Sequence, residues 1–245
     1  SGDPEGGFLS SHRIITTGVH ERDGLFGKAT GKRFTVRVIA DCAAKDNVIY
    51  DEWVIGDGSS MAIQLGFDPV ELVRNQIERE GGATKARMPF TPATDVVGRY
   101  KSRGNDNEWG LKLADLLTRI MNSEYSVVQG DYDRAVFSEH PGTRSGWSWN
   151  FAETEWMALR SAFPSAKFEV HHIIGREDKG MAPRAAVRWS LTGNHEGWGR
   201  YGEPTGAEVH IMGATHADFG LWGLRREHTL IDETAISLTG TKAAA

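Results

Sequence analysis

The 245-residue chain contains one cysteine, Cys42. A lone thiol cannot close an intrachain disulfide, so no covalent staple is available. A zinc site would have to be built from histidine and carboxylate ligands. Cys42 falls in the alternating stretch from Phe34 to Cys42 and reads as an inert core thiol. Long apolar runs are absent too: no stretch reaches the roughly 18 residues that a membrane-spanning helix needs. There is no surplus of positive charge. The 28 Lys and Arg are outnumbered by 33 Asp and Glu, giving a net charge of −5, and the basic residues are scattered. That pattern offers no footprint for nucleic acid. No secretory signal pattern opens the sequence, and the location expected from this is the cytoplasm.

What is present is an ordinary globular composition, 39% hydrophobic and 25% charged, long enough for one large domain or two smaller ones. The strongest internal signal appears when the chain is slid along itself by 175 residues. Thr17-Gly18 and His20-Glu21 then fall on Thr192-Gly193 and His195-Glu196. Gly24, Gly27, Thr30 and Gly31 fall on Gly199, Gly202, Thr205 and Gly206. Arg13 meets Arg188, Glu52 meets Glu227, and Asp57 meets Asp232. The matches cluster at turn glycines and one His-Glu pair, as expected of one supersecondary unit used twice.

Each unit reads as a three-stranded antiparallel meander with a glycine-rich first connection. The strands are Leu9–His20, Arg33–Ala43 and Val48–Ile55 in the first, and Arg184–His195, Ala207–Ala217 and Leu224–Ile231 in the second. Such a sheet needs helices on one face. Upstream of the second meander, Asn107–Asn122 carries an apolar face at helical spacing, a short helix is expected next, and Asn150 is a plausible cap for a helix to about Phe163. Lys167–Gly175 adds a strand. The expected class is α+β, a cone-shaped curved antiparallel sheet packed against helices, in two tandem copies. Residues 1–80 form a partial first domain, 81–106 a linker, and 107–238 a complete second domain. Asp68-Pro69 opens a helix to about Glu80. Only about a dozen residues precede Arg13, against about 80 before Arg188 in the second domain. The helices and first strand of the first copy are therefore expected to be missing.

Arg188-Trp189-Ser190-Leu191-Thr192-Gly193-Asn194-His195-Glu196-Gly197, then Pro204-Thr205-Gly206, then Leu224 to Glu227, resembles the SnoaL-like polyketide cyclases (ester cyclases) of the nuclear transport factor 2-like fold. The resemblance covers about residues 107–237 and, in part, 9–57. It implies a pocket between the helices and the concave sheet face, where cyclase members close a ring by an aldol step with an acid/base pair. The first member of that pair would sit at Asp41 in one copy and His216 in the other. The second would fall near Val54 or Ile55, and near Leu230, none of them acidic. Here the chain departs from the family pattern.

Strand parity groups His210, Met212, Ala214, His216 and Asp218 on one face, and Arg226, His228 and Leu230 on one face of the next strand. With both faces turned into the cone, His216 and His228 become the proton-handling candidates and Arg226 the anion partner. Asp41, Trp53, Trp149, Trp156 and Asp218 are the further ligand-binding candidates. His171, His172, His210, His216 and His228 could offer metal ligands, but adjacent strand histidines point to opposite faces and no helical HExxH occurs, so no metal is expected. Gly197-Trp198-Gly199-Arg200-Tyr201-Gly202 matches GxGxxG but is followed by Pro204 and a strand, and so reads as a loop without a dinucleotide cofactor. His20 and His195 read as loop-fixing residues. The expected function is binding of a small, largely apolar organic ligand in the second cone, with cofactor-independent cyclase, isomerase or lyase chemistry. The alternative is a non-catalytic ligand-binding or dimerisation module. Either fits a pseudo-dimer of the two copies, or a homodimer, with no nucleic acid or membrane partner.

Overall fold

A computed structural model describes residues 6–243. The first sheet is an antiparallel meander in the order β1 (Phe8–Val19), β2 (Arg33–Lys45), β3 (Val48–Gly56). Asp46 and Asn47, with φ of 52° and 62°, make the two-residue turn between β2 and β3. Positive φ at both positions suits the right-handed strand twist, and Asp and Asn tolerate it better than bulkier residues. Helix α1 (Gly58–Leu65) follows, its first turn capped by the Asp57 carboxylate. Helix α2 (Pro69–Arg79) starts on Asp68 and Pro69, as the sequence predicts.

The second unit runs α3 (Glu108–Met121), α4 (Ser126–Asp131), β4 (Tyr132–His140), β5 (Arg144–Trp147), α5 (Trp149–Ala162), β6 (Lys167–Arg176), β7 (Arg184–Asn194), β8 (Glu208–Gly220), β9 (Gly223–Ile231) and α6 (Glu233–Ala243). Its six strands lie in the order β5-β4-β9-β8-β7-β6. The class is α+β as expected, but the sheet is mixed rather than purely antiparallel, because β4 pairs parallel with β9. Strands β4 and β5 do not follow from the sequence pattern: Asp133-Arg134 interrupts the apolar alternation, and the pairing with β9 shifts register between Tyr132 and Phe137. Helices α1 and α6 are likewise additions. Helix α5 begins at Trp149, after a Ser148 at φ 91°, and not on the Asn150 cap.

The two meanders share their strand pairing at the 175-residue spacing. Thr17 pairs with Thr35 as Thr192 pairs with His210, and Ile39 with Ile55 as Ala214 with Leu230. The register slip after Ala43 recurs after Asp218. The bridge Gly24–Gly27 recurs as Gly199–Gly202. Asp57 caps α1 by accepting from the Ser60 amide, and Asp232 accepts from the Ala235 amide at the start of α6.

The second sheet buries both faces. On one side Trp189, Leu191, Ile211, Phe219 and Leu224 pack against Leu113, Leu117 and Ile120 of α3 and Trp156 of α5. On the other, Ala214 and Leu230 meet Ile39 and Ile55 of the first sheet. These two pairs are repeat counterparts, so the contact is self-complementary, as in a two-fold dimer interface. Residues 81–106, read as a linker, are tied to the second sheet. Gly104 bridges Ile173, and the Asn105 side chain bonds both the amide and the carbonyl of Gly175. A Cβ on Gly104 would stand 1.6 Å from the Ile173 carbonyl oxygen.

Leu230→Ala should lower unfolding free energy by about 2–5 kcal/mol, the range for emptying a packed aliphatic site. Urea denaturation followed by tryptophan fluorescence measures it. A loss below about 1 kcal/mol would mean that the two sheets are not pressed together there.

Candidate functional site

The histidines proposed for the cone interior face the other way. Thr215 and Glu227 point toward the helices, so alternation along the strands sends their neighbours His216 and His228 to the face that meets the first sheet. Parity grouped these residues correctly, but the side on which the helices lie could not be read from it. Asp41 and Trp53 come to the same layer from the first sheet. Ser11 Oγ bonds the Asp41 carboxyl and lies 2.7 Å from His216 Nε2. The Arg188 guanidinium stacks 3.7 Å from the Trp53 ring centroid and pairs with Asp41 at 3.5 Å. Burial pushes the Asp41 carboxyl up, against the Ser11 bond and the Arg188 charge. Burial, helped by Arg13, pulls the His216 imidazole down to about 3. His216 is therefore neutral near pH 7 and a weak base, poorly suited to general-base catalysis.

The remaining candidates scatter. His228 Nδ1 meets Glu139, which also pairs with Arg37 of the first sheet at 3.4 Å. Arg226 is largely solvated and stands 3.9 Å from Asp218. Trp149 donates to the Tyr132 carbonyl, and Trp156 lies inside the helix-side core. His171 and His172 do not point apart. A bulge between Val170 and His172 breaks the alternation, and they bond Ser190 and Tyr100 on the outer layer. His210 pairs with Asp95 at 2.9 Å, pinning the connecting segment. His20 and His195 hold their loops through Thr30 and Thr205.

The helix side holds a polar cluster that sequence reasoning missed. Glu227 is fully buried; its carboxyl accepts from Tyr132 OH at 2.6 Å, Trp156 Nε1 at 3.3 Å and Thr229 Oγ1 at 3.3 Å. His140 Nε2 approaches it at 3.4 Å. Burial raises the Glu227 carboxyl to about 7. Burial, with Arg144 nearby, holds His140 well below the usual imidazole range. The coincidence of Glu52 and Glu227 in the repeat was the signal that could have found this residue. The space beside the cluster, lined by His140, Trp156 and Thr229, amounts to about 10 Å³, room for a water at most.

Outward from that space the cone mouth is closed by paired charges. Arg144 binds Glu155 at 3.0 Å and Glu233 at 2.6 Å, Arg200 binds Glu155 at 2.7 Å, and Tyr201 OH donates to Glu233 at 3.1 Å. Arg144, Arg200 and Tyr201 line the inner space and also a groove of about 890 Å³ outside it. The groove has apolar walls from Val70 and Ile77 of α2 and Ile236 of α6, and Arg74 and His195 stand at its edge. Among the described residues no group of three or more His, Cys, Asp or Glu is placed to hold a metal ion. No helix there is long and apolar enough to cross a membrane.

The topology can now be set beside known structures. A candidate SnoaL-like polyketide cyclase from Jannaschia sp. CCS1 is similar over 55% of this chain and 95% of its own, at 14% identity and a TM-score of 0.46. IdmH, a candidate polyketide cyclase from Streptomyces antibioticus, is similar over 57% of this chain and all of its own, at 15% identity and 0.45. A SnoaL-like polyketide cyclase from Agrobacterium tumefaciens is similar over 51% of this chain and 91% of its own, at 20% identity and 0.39. No protein-family model and no curated protein matches. At such identities and TM-scores the likeness assigns no function.

Glu227 also sets a pH dependence. A carboxyl that titrates near 4.5 when unfolded and near 7 when folded keeps its proton longer in the native state. Its contribution to stability is complete below pH 4.5 and is lost as pH rises to 7. Glu227→Gln should remove a pH-dependent loss of about 3 kcal/mol across that interval. Denaturation midpoints of both proteins at a series of pH values test this. Parallel curves would show that Glu227 does not titrate as described.

Proposed function

We propose that this SnoaL-like chain binds a small, largely apolar organic molecule carrying an anionic group, at the mouth of the second cone. We propose further that its first unit acts as the built-in partner of the second, the two being tandem copies joined through residues 81–106. One observation carries the reading: the groove of about 890 Å³ opens onto the arginine-lined mouth, whereas the cone behind it is filled. A concave, mostly apolar site with a few convergent polar groups is the usual form of a small-molecule site. Arg200 and Arg144 at its floor, with Arg74 at its edge, suit a carboxylate or enolate. The matching registers and the paired sheets support the intrachain partnership.

A catalytic second reading is supported by Glu227. A carboxyl poised at about 7 beside Tyr132 has the protonation balance of a general acid/base. It would serve a cofactor-independent cyclase, isomerase or lyase only if the Arg144–Glu233 contact opened to admit substrate. On this reading Glu227, rather than His216 or His228, handles the proton.

Titration with 2-naphthoate, followed by NMR shifts of groove residues, tests the binding site. Saturable shifts at Ile77, Ile236 and Tyr201 are expected, with affinity weakened about tenfold in Arg74→Met and in Arg200→Met. Shifts confined to other surfaces, or unchanged affinity in both variants, would overturn it. Catalysis is read separately: the chain should speed deuterium uptake at the central carbon of acetylacetone, and Glu227→Gln should not. Equal rates in the two proteins would remove the second reading and leave the binding site standing.

A further inference from the structure

The helix-covered face of the second sheet has a counterpart on the first sheet, where several large apolar side chains stand exposed. Ile14, Val36, Ile49 and Val54 occupy the places of Trp189, Ile211, Leu224 and Thr229. In the second sheet Trp189, Leu224 and Thr229 are 1%, 0% and 2% exposed, under α3 and α5. In the first, Ile14, Ile49 and Val54 are 41%, 55% and 53% exposed. Helix α1 packs against β2, where Gln64 bonds both the amide and the carbonyl of Thr35. Large apolar side chains exposed together on one sheet face mark an interaction surface.

We propose that the outer face of β1–β3 docks a pair of amphipathic helices, supplied by a polypeptide segment outside these 245 residues. Their apolar stripe would carry the Leu, Ile and aromatic chemistry of α3 and α5. Two features favour helices over a second copy of the sheet. The strand registers match through the slip after Ala43, so the face presents side chains at the positions that α3 and α5 cover in the second unit. Glu52 stands at the place of Glu227, whose carboxyl accepts from Trp156 of the covering α5 as well as from Tyr132 of the adjacent strand β4. On the first sheet only the Cys42 thiol, at 3.2 Å, donates to it. A sheet face brought against an identical face would set this carboxylate into the interface without such donors. The inference rests on the strand registers and is independent of the ligand groove.

The test uses the full chain with two synthetic peptides, residues 107–122 and 148–163, which carry the covering helices of the second unit. Hydrogen exchange and light scattering are the readouts. The chain alone should be monomeric. Added together, the peptides should slow exchange at β1 and β3 saturably, by about tenfold, and leave β7–β9 unchanged. Val54→Lys and Ile14→Lys alter exposed positions, should leave the Tm within a few degrees, and should each abolish the protection. Absence of protection, protection that survives both substitutions, or protection at β7–β9 in place of β1–β3 would overturn the proposal. So would self-association of the chain that Val54→Lys reverses, which would make a second copy the occupant.

Discussion

The second sheet must bury two faces, and the contact that closes its outer face decides where every functional side chain points. Ile39 and Ile55 press on Ala214 and Leu230, each pair the counterpart of the other. Because side chains alternate along an unbulged stretch of strand, once Ala214 and Leu230 face the first sheet, His216 and His228 must face it too, and Thr215, Glu227 and Thr229 must face the helices. The chemistry divides accordingly. One layer holds Ser11, Asp41, Arg188 and His216 between sheets; the other holds Tyr132, His140, Trp156 and Glu227 under helices.

Burial acts in the same direction in the two layers, favouring neutral forms, but it leaves different groups poised. Between the sheets it drives Asp41 and His216 toward their neutral forms, so the layer avoids placing unpaired charges in a dry contact. Arg188 keeps its charge by spreading it over the Trp53 face and toward Asp41. In the cone a single carboxyl is held at a point where either protonation state is accessible near pH 7. The first layer suits a permanent interface. The second has the balance associated with proton transfer, yet it lacks room for a substrate while Arg144 and Arg200 hold Glu155 and Glu233 across the mouth.

Much of the fold was legible because it depends on local rules. The spacing of Leu113, Leu117 and Ile120 marks α3, Asp68-Pro69 marks the start of α2, and the turn glycines mark the bridged loops Gly24–Gly27 and Gly199–Gly202, each through chemistry confined to a few residues. Strands β4 and β5 were not legible. Their order comes from pairing with β9, some 90 residues away in sequence, and the apolar signal of β4 is diluted by Asp133 and Arg134. The candidate site failed at a different step. Parity sorts strand residues into two faces but does not say which face the helices cover, and here the polar, histidine-rich face belongs to the sheet contact. The bulge at His171 shows the same limit in miniature, since one extra residue returns two adjacent histidines to one side.

The repeat resolves the parity ambiguity on physical grounds. Where two units pack through equivalent surfaces, a residue in the contact has a counterpart in the contact, and a residue under the helices has a counterpart on the opposite outer face. Asp41 and His216 are such a pair, as are Trp53 and His228, and all four lie on the inner faces. Glu52 and Glu227 are a pair on the outer faces, one partly solvated and one wholly enclosed. The same side chain at the same register therefore differs in environment only through what lies over it. The helix layer supplies Trp156 as a donor beside Tyr132 of β4, and by removing water it lifts the Glu227 carboxyl to about 7 against those two bonds. The special character of this glutamate thus belongs to the layer across from it, and the strand sequence contributes only the carboxylate and its direction.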